Sequence, residues 1–413
     1  MRIRRAAPDD APILARQYVQ AYTPPGGGDA SAHYPFVQFL DPQRLALELA
    51  RPGHLWLVAE IQGNVAGGVG AARAIAGHGG VSEFFGLVVG DRFRGHGAAS
   101  RMVAAACEEL APTTHLLLAE TRAAHPGGWR VFRGCGFLPI GFEPFAHRTP
   151  AGAEPMLFLA RFGHVQGTEP AGTRLTVEAH RLAQAVLPGL ARRVPPSQRT
   201  TLRAWARVSV VPCDDPRTSR GSPEDPARSG IVALDRIEGV APASGRYETV
   251  VLRGLRGART VGLVRVAVDH VDDRARVLEL HAVHADLELP ILLAACDHVR
   301  RCSAIRTLVV DVRADRPTLL EGLGAAGFFP TIYYPGLVAP SGRGPDAPTA
   351  DAVQYTQLFG RPIDATLSCV GDLDWPDARA LMRLIEHAAR GRAEPQGSPT
   401  ETRAPHRPES RAG

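Results

Sequence analysis

The sequence contains no lysine: all 47 residues counted as lysine or arginine are arginine. Codon bias of a GC-rich genome is a sufficient explanation. The absence excludes a lysine Schiff base, a lysine that binds phosphates in a Walker-type loop, and self-acetylation of lysine. The net charge is only +5, and no dense arginine run with interleaved aromatic residues occurs. Nucleic-acid binding is therefore not expected, although the mild positive charge suits an anionic ligand.

Aromatic residues make up 6% of the chain, so aliphatic side chains and alanine are expected to fill the cores. The six cysteines form no C-x-x-C pair and no His/Cys metal spacing, which predicts reduced thiols and no bound metal. No run of 18 apolar residues occurs, and the first ten residues, MRIRRAAPDD, lack the apolar stretch of a signal peptide. We therefore expect a cytoplasmic protein that does not enter a membrane.

The length of 413 residues, with 45% hydrophobic and 22% charged residues, predicts two soluble domains with linkers. Stretches rich in proline, glycine and charge place the boundaries. We predict a first domain over 1–162, a linker with a helical segment over 163–246, a second domain over 247–360, a helical extension over 361–390 and a disordered tail over 391–413.

Apolar periodicity predicts a mixed sheet of the α/β class in the first domain. The predicted elements are strand Ile3–Ala6, a helix capped by Asp9 or Asp10 and ending at Tyr22, helix Pro42–Ala50, a hairpin of His54–Ile61 and Val65–Ile75, strand Ser82–Val89, helix Gly97–Leu110, strand His115–Thr121, helix Pro126–Gly134, and strands Leu138–Ala146 and Met156–Phe162.

A similar order returns in the second domain. The predicted elements are strands Tyr247–Leu252, Val261–Val268 and Val277–Val283, helix Leu289–Arg300, strand Thr307–Val312, helix Thr318–Ala326, and strands Thr331–Leu337 and Ala352–Phe359. The segment at 134–139, GCGFLP, is echoed at 325–330 by AAGFFP. The shared order and this echo predict two copies of one fold.

The most informative segment runs from an apolar strand through the turn Arg94–Gly97 onto a helix. Small residues there leave amide groups open, and a helix N-terminus adds partial positive charge, so a pyrophosphate is the natural ligand. One alternative is a dinucleotide-binding turn, with Gly95, Gly97 and Ser100 approximating G-x-G-x-x-G and Glu120 following the next strand. Another is a tight turn that binds nothing. The missing third glycine and the preceding hairpin argue against the dinucleotide turn.

Arg94-x-x-Gly97-x-Ala99 resembles the R/Q-x-x-G-x-G/A signature of the GNAT N-acetyltransferase superfamily, and the segment 131–137, VFRGCGF, is similar to a late helix of that family. The resemblance covers residues 1–162, with a degenerate version over 247–359, and implies a tandem GNAT arrangement. It implies that acetyl-coenzyme A or another acyl-coenzyme A is the co-substrate. The implied cofactor-binding residues are Arg94, Gly95, His96, Gly97, Ala98 and Ala99 at the pyrophosphate, and the backbone of Leu87, Val88 and Val89 at the pantetheine arm.

Glu83 lies on the strand that enters the motif, where many GNAT enzymes carry the glutamate that deprotonates the amine. An apolar surrounding would raise the pKa of this carboxylate toward useful base strength, whereas an edge-strand glutamate would simply face solvent. The amide of Val89 is the implied polariser of the acyl carbonyl. Phe132 stands where many members have a tyrosine general acid, so Cys135 or a water molecule would have to replace that proton donor.

Two histidines near the motif have open roles. His125 either contacts cofactor or substrate or caps the following helix, and His96 either touches a phosphate or is a bystander. In the second domain the corresponding turn, His284–Pro290, has two carboxylates and neither glycine nor arginine, so no coenzyme A is expected there. His281 and His284 are expected to pack in a core or cleft rather than bind a metal.

These features predict an N-acyltransferase that transfers an acetyl or other short acyl group to a primary amine by direct attack, because no nucleophile paired with a base suggests a covalent acyl-enzyme. The acceptor would be a small-molecule amine or a peptide N-terminus; neither its identity nor the oligomeric state follows from the sequence. Candidate acceptor contacts are Tyr18, Tyr22, Tyr34 and Phe36. The alternative is a non-catalytic acyl-coenzyme A-binding regulator or scaffold.

Overall fold

The computed structural model describes residues 1–24, 26–32, 34, 36–72, 80–149, 152–162, 175–187, 208–213, 231–232, 247–338, 350–371 and 373–391. The predicted tail after residue 391 and most of the predicted linker lie outside the described residues.

The described strands and helices agree in type and order with those predicted, except for strand Ser209–Pro212, which lies in the predicted linker and was not expected. The strands are β1 Arg2–Arg5, β2 His54–Ile61, β3 Asn64–Ala72, β4 Val81–Val89, β5 Leu116–Arg122, β6 Leu138–Thr149, β7 Gly152–Phe162, β8 Ser209–Pro212, β9 Tyr247–Arg256, β10 Arg259–Asp269, β11 Arg274–Ala282, β12 Thr307–Arg313, β13 Phe329–Val338 and β14 Ala350–Leu358. The helices are α1 Ala11–Tyr22, α2 Pro42–Leu49, α3 Ala98–Leu110, α4 Pro126–Gly134, α5 Val177–Val186, α6 Ala285–Cys302, α7 Pro317–Ala325, α8 Asp364–Leu367 and α9 Pro376–Arg390.

The strands form one 14-stranded sheet in the order β1-β2-β3-β4-β5-β7-β6-β13-β14-β12-β11-β10-β9-β8. The first half of the sheet (β1–β7) and the second half (β8–β14) meet where β6 pairs with β13. In the first half β4 and β5 run parallel, as do β11 and β12 in the second, and the adjacent pairs are antiparallel. From the junction outwards, the strand order 6-7-5-4-3-2 is matched by 13-14-12-11-10-9.

The alternating side chains of β2 belong to two different cores. Leu55 and Leu57 pack in the large core that includes α3, whereas Trp56 and Val58 pack in a smaller cluster with α1 and α2. Successive strand residues point to opposite faces of a sheet, so α3 covers one face of the first half while α1 and α2 cover the other.

The junction between the halves requires close contact of β6 with β13. Gly141 on β6 lies opposite Ile332, and a Cβ at Gly141 would lie 2.1 Å from the carbonyl oxygen of Thr331. Its φ of +152° is also one that other residues rarely adopt. Glycine at this position therefore allows the two half-sheets to join.

The C-terminal extension packs back on the first half. Trp375, just before α9, lies 6.1 Å from Trp129 of α4 between ring centroids, and the guanidinium of Arg133 lies 5.4 Å from the Trp375 ring. Arg133 also donates a 2.9 Å hydrogen bond to the carbonyl oxygen of Asp374. These contacts connect the predicted extension to α4.

Two predictions about helix starts were wrong: the capping bond of α1 and the first residue of α6. Asp10 occupies the N-cap of α1, but its carboxylate accepts 2.8 and 2.9 Å bonds from Arg4 and a 2.8 Å bond from the amide of Ala7 instead of capping α1. A bidentate arginine–carboxylate pair is stronger than a single cap bond. Helix α6 begins at Ala285, ahead of the predicted start at Leu289, and tolerates Pro290 inside it. Burial of Leu287 in the core favours this earlier turn.

Candidate functional site

A cavity of about 980 Å³ opens on the first half of the sheet and extends to the second half. At its base, β4 and β5 pair in parallel only from Val81–Leu116 to Phe84–Ala119 and then diverge. β4 has one extra residue between Phe85 and Val88 relative to β3. The divergence exposes the edge of β4 over 85–89 to the cavity, and Leu87, Val88 and Val89 line it as the resemblance implied.

The turn before α3 presents open amide groups to the same cavity. Gly95 and Gly97 have φ values of +79° and +74°, and a Cβ at either position would meet no atom within 4 Å. Within the described part of the chain, the amides of residues 95–99 donate no backbone hydrogen bond. Peptide dipoles at a helix N-terminus favour anions, so this arrangement can bind a phosphate group.

The polar side chains of the turn are partly engaged with the turn itself. Arg94 forms an exposed 2.8 Å ion pair with Asp91, and it lines the cavity together with Gly95, Gly97, Ala98 and Ala99. The Nδ1 atom of His96 lies 3.0 Å from the carbonyl oxygen of Arg94, which requires the Nδ1–H tautomer. Of the residues predicted for this turn, His96 is the one outside the described lining of the cavity.

Glu83 is half-buried and lines the cavity at the point where β4 and β5 still pair. It lies opposite Leu118 of β5 and Ala72 of β3 in the sheet. Its strand leads within a few residues to the exposed edge of β4 and the amide turn. The structure therefore brings the predicted base and the predicted cofactor-binding residues into one cavity.

Phe132 borders the cavity but is only 4% exposed and belongs to the core. Its ring meets Phe84 and Phe137 edge to face, with centroids 5.6 and 5.0 Å apart. Cys135 does not belong to the described lining of the cavity; its Sγ–H donates to the carbonyl oxygen of Ser100 at 3.6 Å, and burial raises the pKa of its thiol. Cys135 is therefore a packed thiol, poorly placed to replace a tyrosine acid.

His125 lines the cavity at the start of α4. It occupies the N-cap position, but its side chain makes no hydrogen bond to the helix, which does not favour the capping alternative. Its ring lies over Gly127, where a Cβ would approach Cε1 to 2.9 Å. Burial, with the nearby positive charges of Arg122 and Arg94, lowers the pKa of His125 and keeps the imidazole neutral at neutral pH.

The second half also lines this cavity, with residues that were not predicted as site residues. Its contributions are Tyr247 on β9, Asp272 in the β10–β11 turn, and Arg274 and Arg276 on β11. A signal was present in the alternation of these arginines with apolar residues along β11, but only the tertiary structure brings their side chains to Glu143 of β6.

A buried ion network connects these arginines to the first half. Glu143 of β6 is fully buried and accepts from both Arg274 and Arg276, the latter at 2.6 Å. Arg276 also pairs with buried Asp311 of β12. Burial opposes the charge of Arg274, but the surrounding carboxylates, Glu143 first among them and Glu120 included, outweigh it and raise the pKa of the guanidinium. The network fixes the wall of the cavity where the halves meet.

Aromatic residues form the wall opposite the turn. Tyr22, Tyr34, Phe36 and Phe85 all line the cavity, with Tyr22 and Tyr34 stacked 4.0 Å apart between centroids. Tyr18, predicted as an acceptor contact, is fully buried instead, and its hydroxyl donates to the carbonyl oxygen of Gly86.

The second half differs from the first at the two places that correspond to the open edge of β4 and to the turn before α3. β11 and β12 pair in parallel only as far as Val277 and Val310, but here Ile231 forms a bridge with Val312 and the amide of Val232 donates a 2.9 Å bond to Asp311. Because β14 covers the other edge of β12 as far as Arg313, this segment lies in the gap beside β11. A part of the chain itself fills the gap.

The start of α6 also lacks the features of the turn before α3. Its first turn contains Asp286 and Glu288, and His284 precedes it without a capping bond. His281 and His284 are both exposed, so the prediction that they pack in a core or cleft was wrong.

Among the described residues, no group of three or more His, Cys, Asp and Glu could hold a metal ion. No described helix has the length and hydropathy needed to span a membrane.

Comparisons with known proteins show a similarity in the N-terminal part of the chain. The model of the Acetyltransferase (GNAT) family matches residues 17–137. No curated protein matches the sequence.

Solved structures similar to this chain include three acetyltransferases. Ribosomal-protein-alanine N-acetyltransferase from Brucella melitensis is 24% identical and covers 39% of this chain and 99% of its own, with a TM-score of 0.34. Phosphinothricin acetyltransferase from Sinorhizobium meliloti, in complex with AcCoA, is 18% identical and covers 41% and 92%, with a TM-score of 0.34. Aminoglycoside 6'-N-acetyltransferase complexed with coenzyme A is 18% identical and covers 39% and 97%, with a TM-score of 0.31. TM-scores this low decide nothing about this chain. The chain has a mixed α/β fold, and its residues 17–137 match the model of the Acetyltransferase (GNAT) family.

Proposed function

We propose that this protein is a cytoplasmic N-acyltransferase that moves an acetyl or other short acyl group from acyl-coenzyme A to a primary amine. The observation that carries the proposal is one cavity that joins the open amides before α3, the exposed edge of β4 and the carboxylate of Glu83. The acceptor would be a small-molecule amine or a peptide N-terminus.

The residues present fit acyl-coenzyme A. The amides of residues 95–99 would hold the pyrophosphate, because they donate no backbone hydrogen bond and the left-handed glycines leave space that a Cβ would occupy. The backbone of Leu87, Val88 and Val89 would pair with the pantetheine arm as an added strand would, since β5 has diverged from this edge. Arg94 adds a positive charge beside the phosphates.

An acyl thioester bound in this gap supplies the acyl group and a thiol leaving group. Glu83 would receive the proton that the attacking amine loses, directly or through water. The amide of Val89 would donate a hydrogen bond to the acyl carbonyl oxygen. Because Phe132 has no proton to give, the thiolate that leaves when the C–S bond breaks would take its proton from water. We assign His125 a contact with cofactor or substrate; as a cavity-lining neutral imidazole, it retains an N–H donor.

We further propose that the second half is a degenerate copy of the same fold, over 247–360, joined to the catalytic domain over 1–162 by the linker and followed by the helical extension over 361–390. The matching strand order supports this relationship, as does an extra residue in β11 between Val277 and Glu279 that resembles the extra residue in β4. The acidic start of α6 and the occupied gap beside β12 support a copy that binds no coenzyme A.

A second candidate function is a non-catalytic acyl-coenzyme A-binding regulator. Phe132 favours it, because the position of the usual general acid is a packed core residue. A regulator would bind the cofactor through the same turn but would release no thiol with any amine.

Substitution of the proposed base separates the two functions. Glu83→Gln is expected to lower kcat about 10²–10⁴-fold, the usual contribution of a general base, with acetyl-coenzyme A affinity unchanged by calorimetry. Glu108→Gln, on the exposed side of α3, is the matched control and is expected to behave as wild type. The assay is thiol release with tyramine, spermidine, an aminoglycoside and an alanine-terminated peptide.

Each outcome decides between the candidates. Wild type that binds acetyl-coenzyme A but releases no thiol with any of these amines favours the regulator. Full turnover by Glu83→Gln removes Glu83 from the mechanism, and a wild type that binds no acyl-coenzyme A contradicts both functions.

A further inference from the structure

The register of three strands places a small hollow beside Glu83. Glu83 of β4, Ala72 of β3 and His54 of β2 lie in one row across the sheet, so their side chains share a face. With strands about 4.8 Å apart, the Cα atoms of Glu83 and His54 are about 10 Å apart, and only the methyl group of Ala72 lies between them. All three residues line the cavity.

An aromatic ring closes one side of this hollow. In the next row, Phe85 lies over Gly70, where a Cβ would come within 2.5 Å of the ring. The same ring meets His54 edge to face at 5.3 Å between centroids. The hollow over Ala72 is thus bounded by a carboxylate, an imidazole and a phenyl ring, which suits a methylene group bearing an amine.

His54 is prepared to contact a polar group. Its Nδ1 atom is buried without a hydrogen-bond partner in the described structure and lies 3.7 Å from a carboxylate oxygen of Glu48, which in turn lies 3.5 Å from Arg51. Burial, with the charge of Arg51, lowers the pKa of His54 to about 4, so the imidazole is neutral and does not repel a cation.

Beyond the hollow the cavity wall is aromatic. Tyr22 and Phe36 remain partly exposed there, and Tyr34 is 3% exposed with a hydroxyl that has no partner in the described structure. Aromatic faces attract both flat apolar groups and cations. An unpartnered buried hydroxyl is costly unless a ligand satisfies it. These features suit an acceptor with an aromatic body that bears a polar group.

We infer that, within the acyltransfer site proposed above, the hollow over Ala72 binds the aminomethylene group of an arylalkylamine between Glu83 and His54, with the aryl group against Tyr22, Tyr34 and Phe36. His54 is a positioning residue that hydrogen-bonds the amine. A carboxylate on the carbon next to the nitrogen would lie near Glu83 and be repelled, so the free amino acid is a poor acceptor.

Calorimetry on the full chain saturated with coenzyme A tests the binding class without chemistry. Tyramine is expected to bind at least 10-fold more tightly than tyrosine, which differs from it by the α-carboxylate. Ala72→Val, which fills the hollow, is expected to weaken tyramine binding at least 10-fold while coenzyme A affinity stays unchanged. Ala153→Val, at a half-buried strand alanine outside the described lining, is the matched control.

The role of His54 is tested by steady-state kinetics with tyramine. His54→Phe keeps a ring but no hydrogen-bonding atom and is expected to raise KM about 5- to 10-fold, the contribution of one hydrogen bond, with little change in kcat. His54→Gln restores a hydrogen-bonding group and is expected to recover most of the loss. Equal thermal stability of the two variants would exclude a folding effect.

The outcomes separate this inference from the function on which it rests. Equal affinity for tyramine and tyrosine, no binding of tyramine by coenzyme A-saturated protein, or unchanged tyramine binding by Ala72→Val each overturns the hollow as the amine site and leaves the acyltransferase proposal standing. Absence of coenzyme A binding overturns both.

Discussion

The two halves of the sheet have the same strand order but enter their central helices differently. The helix α3 follows two left-handed glycines and open amides, whereas α6 follows no glycine and begins with Asp286 and Glu288. Both strands that lead to these helices contain one extra residue. The two halves therefore share a strand order although the residues at the start of their central helices differ.

The gaps between the parallel strands differ as well. Beside β4 the gap opens to the cavity, while beside β12 it contains Ile231 and Val232, which are 5% and 2% exposed. An exposed strand edge has unpaired polar groups that need partners. In the second half, Ile231 and Val232 provide such a partner for β12.

The largest expected effect is on the glycine turn. Arg94→Glu together with Gly97→Glu is expected to weaken acetyl-coenzyme A binding more than about 100-fold, because it reverses the charge and places a side chain at a φ of +74°. Asp286→Ala at the start of α6 is the matched control and is expected to leave the affinity unchanged. Isothermal titration measures both, with one site per chain expected. Binding retained in the double variant would remove the turn from the site.

The ion network tests how strongly the halves depend on each other. Arg276→Met would leave Glu143 and Asp311 with one fewer buried cation and is expected to lower the free energy of unfolding by about 3–5 kcal/mol. Guanidinium denaturation monitored by both fluorescence and circular dichroism should show one shifted transition. Arg300→Met, which removes an exposed pair with Asp297, should change the free energy of unfolding by less than about 0.5 kcal/mol. Two separate transitions would indicate that the halves unfold independently.

The smallest expected effect concerns the segment in the second gap. Ile231→Ala is expected to lower the free energy of unfolding by about 2 kcal/mol, the low end for a buried isoleucine, because the bridge with Val312 is isolated. Titration of this variant should still show one acetyl-coenzyme A site per chain, since α6 offers no amide turn. Two sites per chain would mean that the segment, rather than the acidic start of α6, keeps the second half silent.

Much of the fold could be predicted from local pattern. The alternation in β2 and the apolar spacing in α3 and α9 are strong signals, because burial of one face requires them. The predictions for the cap of α1 and the start of α6 were wrong for the opposite reason. Each depends on a side-chain partner or on core burial that helix periodicity does not encode. Asp10 binds Arg4 across the turn, and Leu287 is buried in the core, so α6 forms despite Pro290.

The residues of the candidate site also divide into those that the sequence could predict and those that it could not. Glu83, the glycine turn and the edge of β4 belong to one continuous segment, so their spacing alone could predict that they act together. His54, Ala72 and the arginines of β11 reach the cavity only through strand register and the junction at β6 and β13. No spacing in the chain encodes those distances.

By itself the sequence determined most of the elements and the contrast between the glycine turn before α3 and the acidic start of α6, because each depends on side chains within a few residues of one another. Only the tertiary structure decided that the second half contributes to the wall of the cavity, that its own gap is filled by Ile231 and Val232, and that Ala72 leaves a hollow between Glu83 and His54. Those features depend on which strands become neighbours, and neighbours in a sheet are selected by the packing of the whole chain.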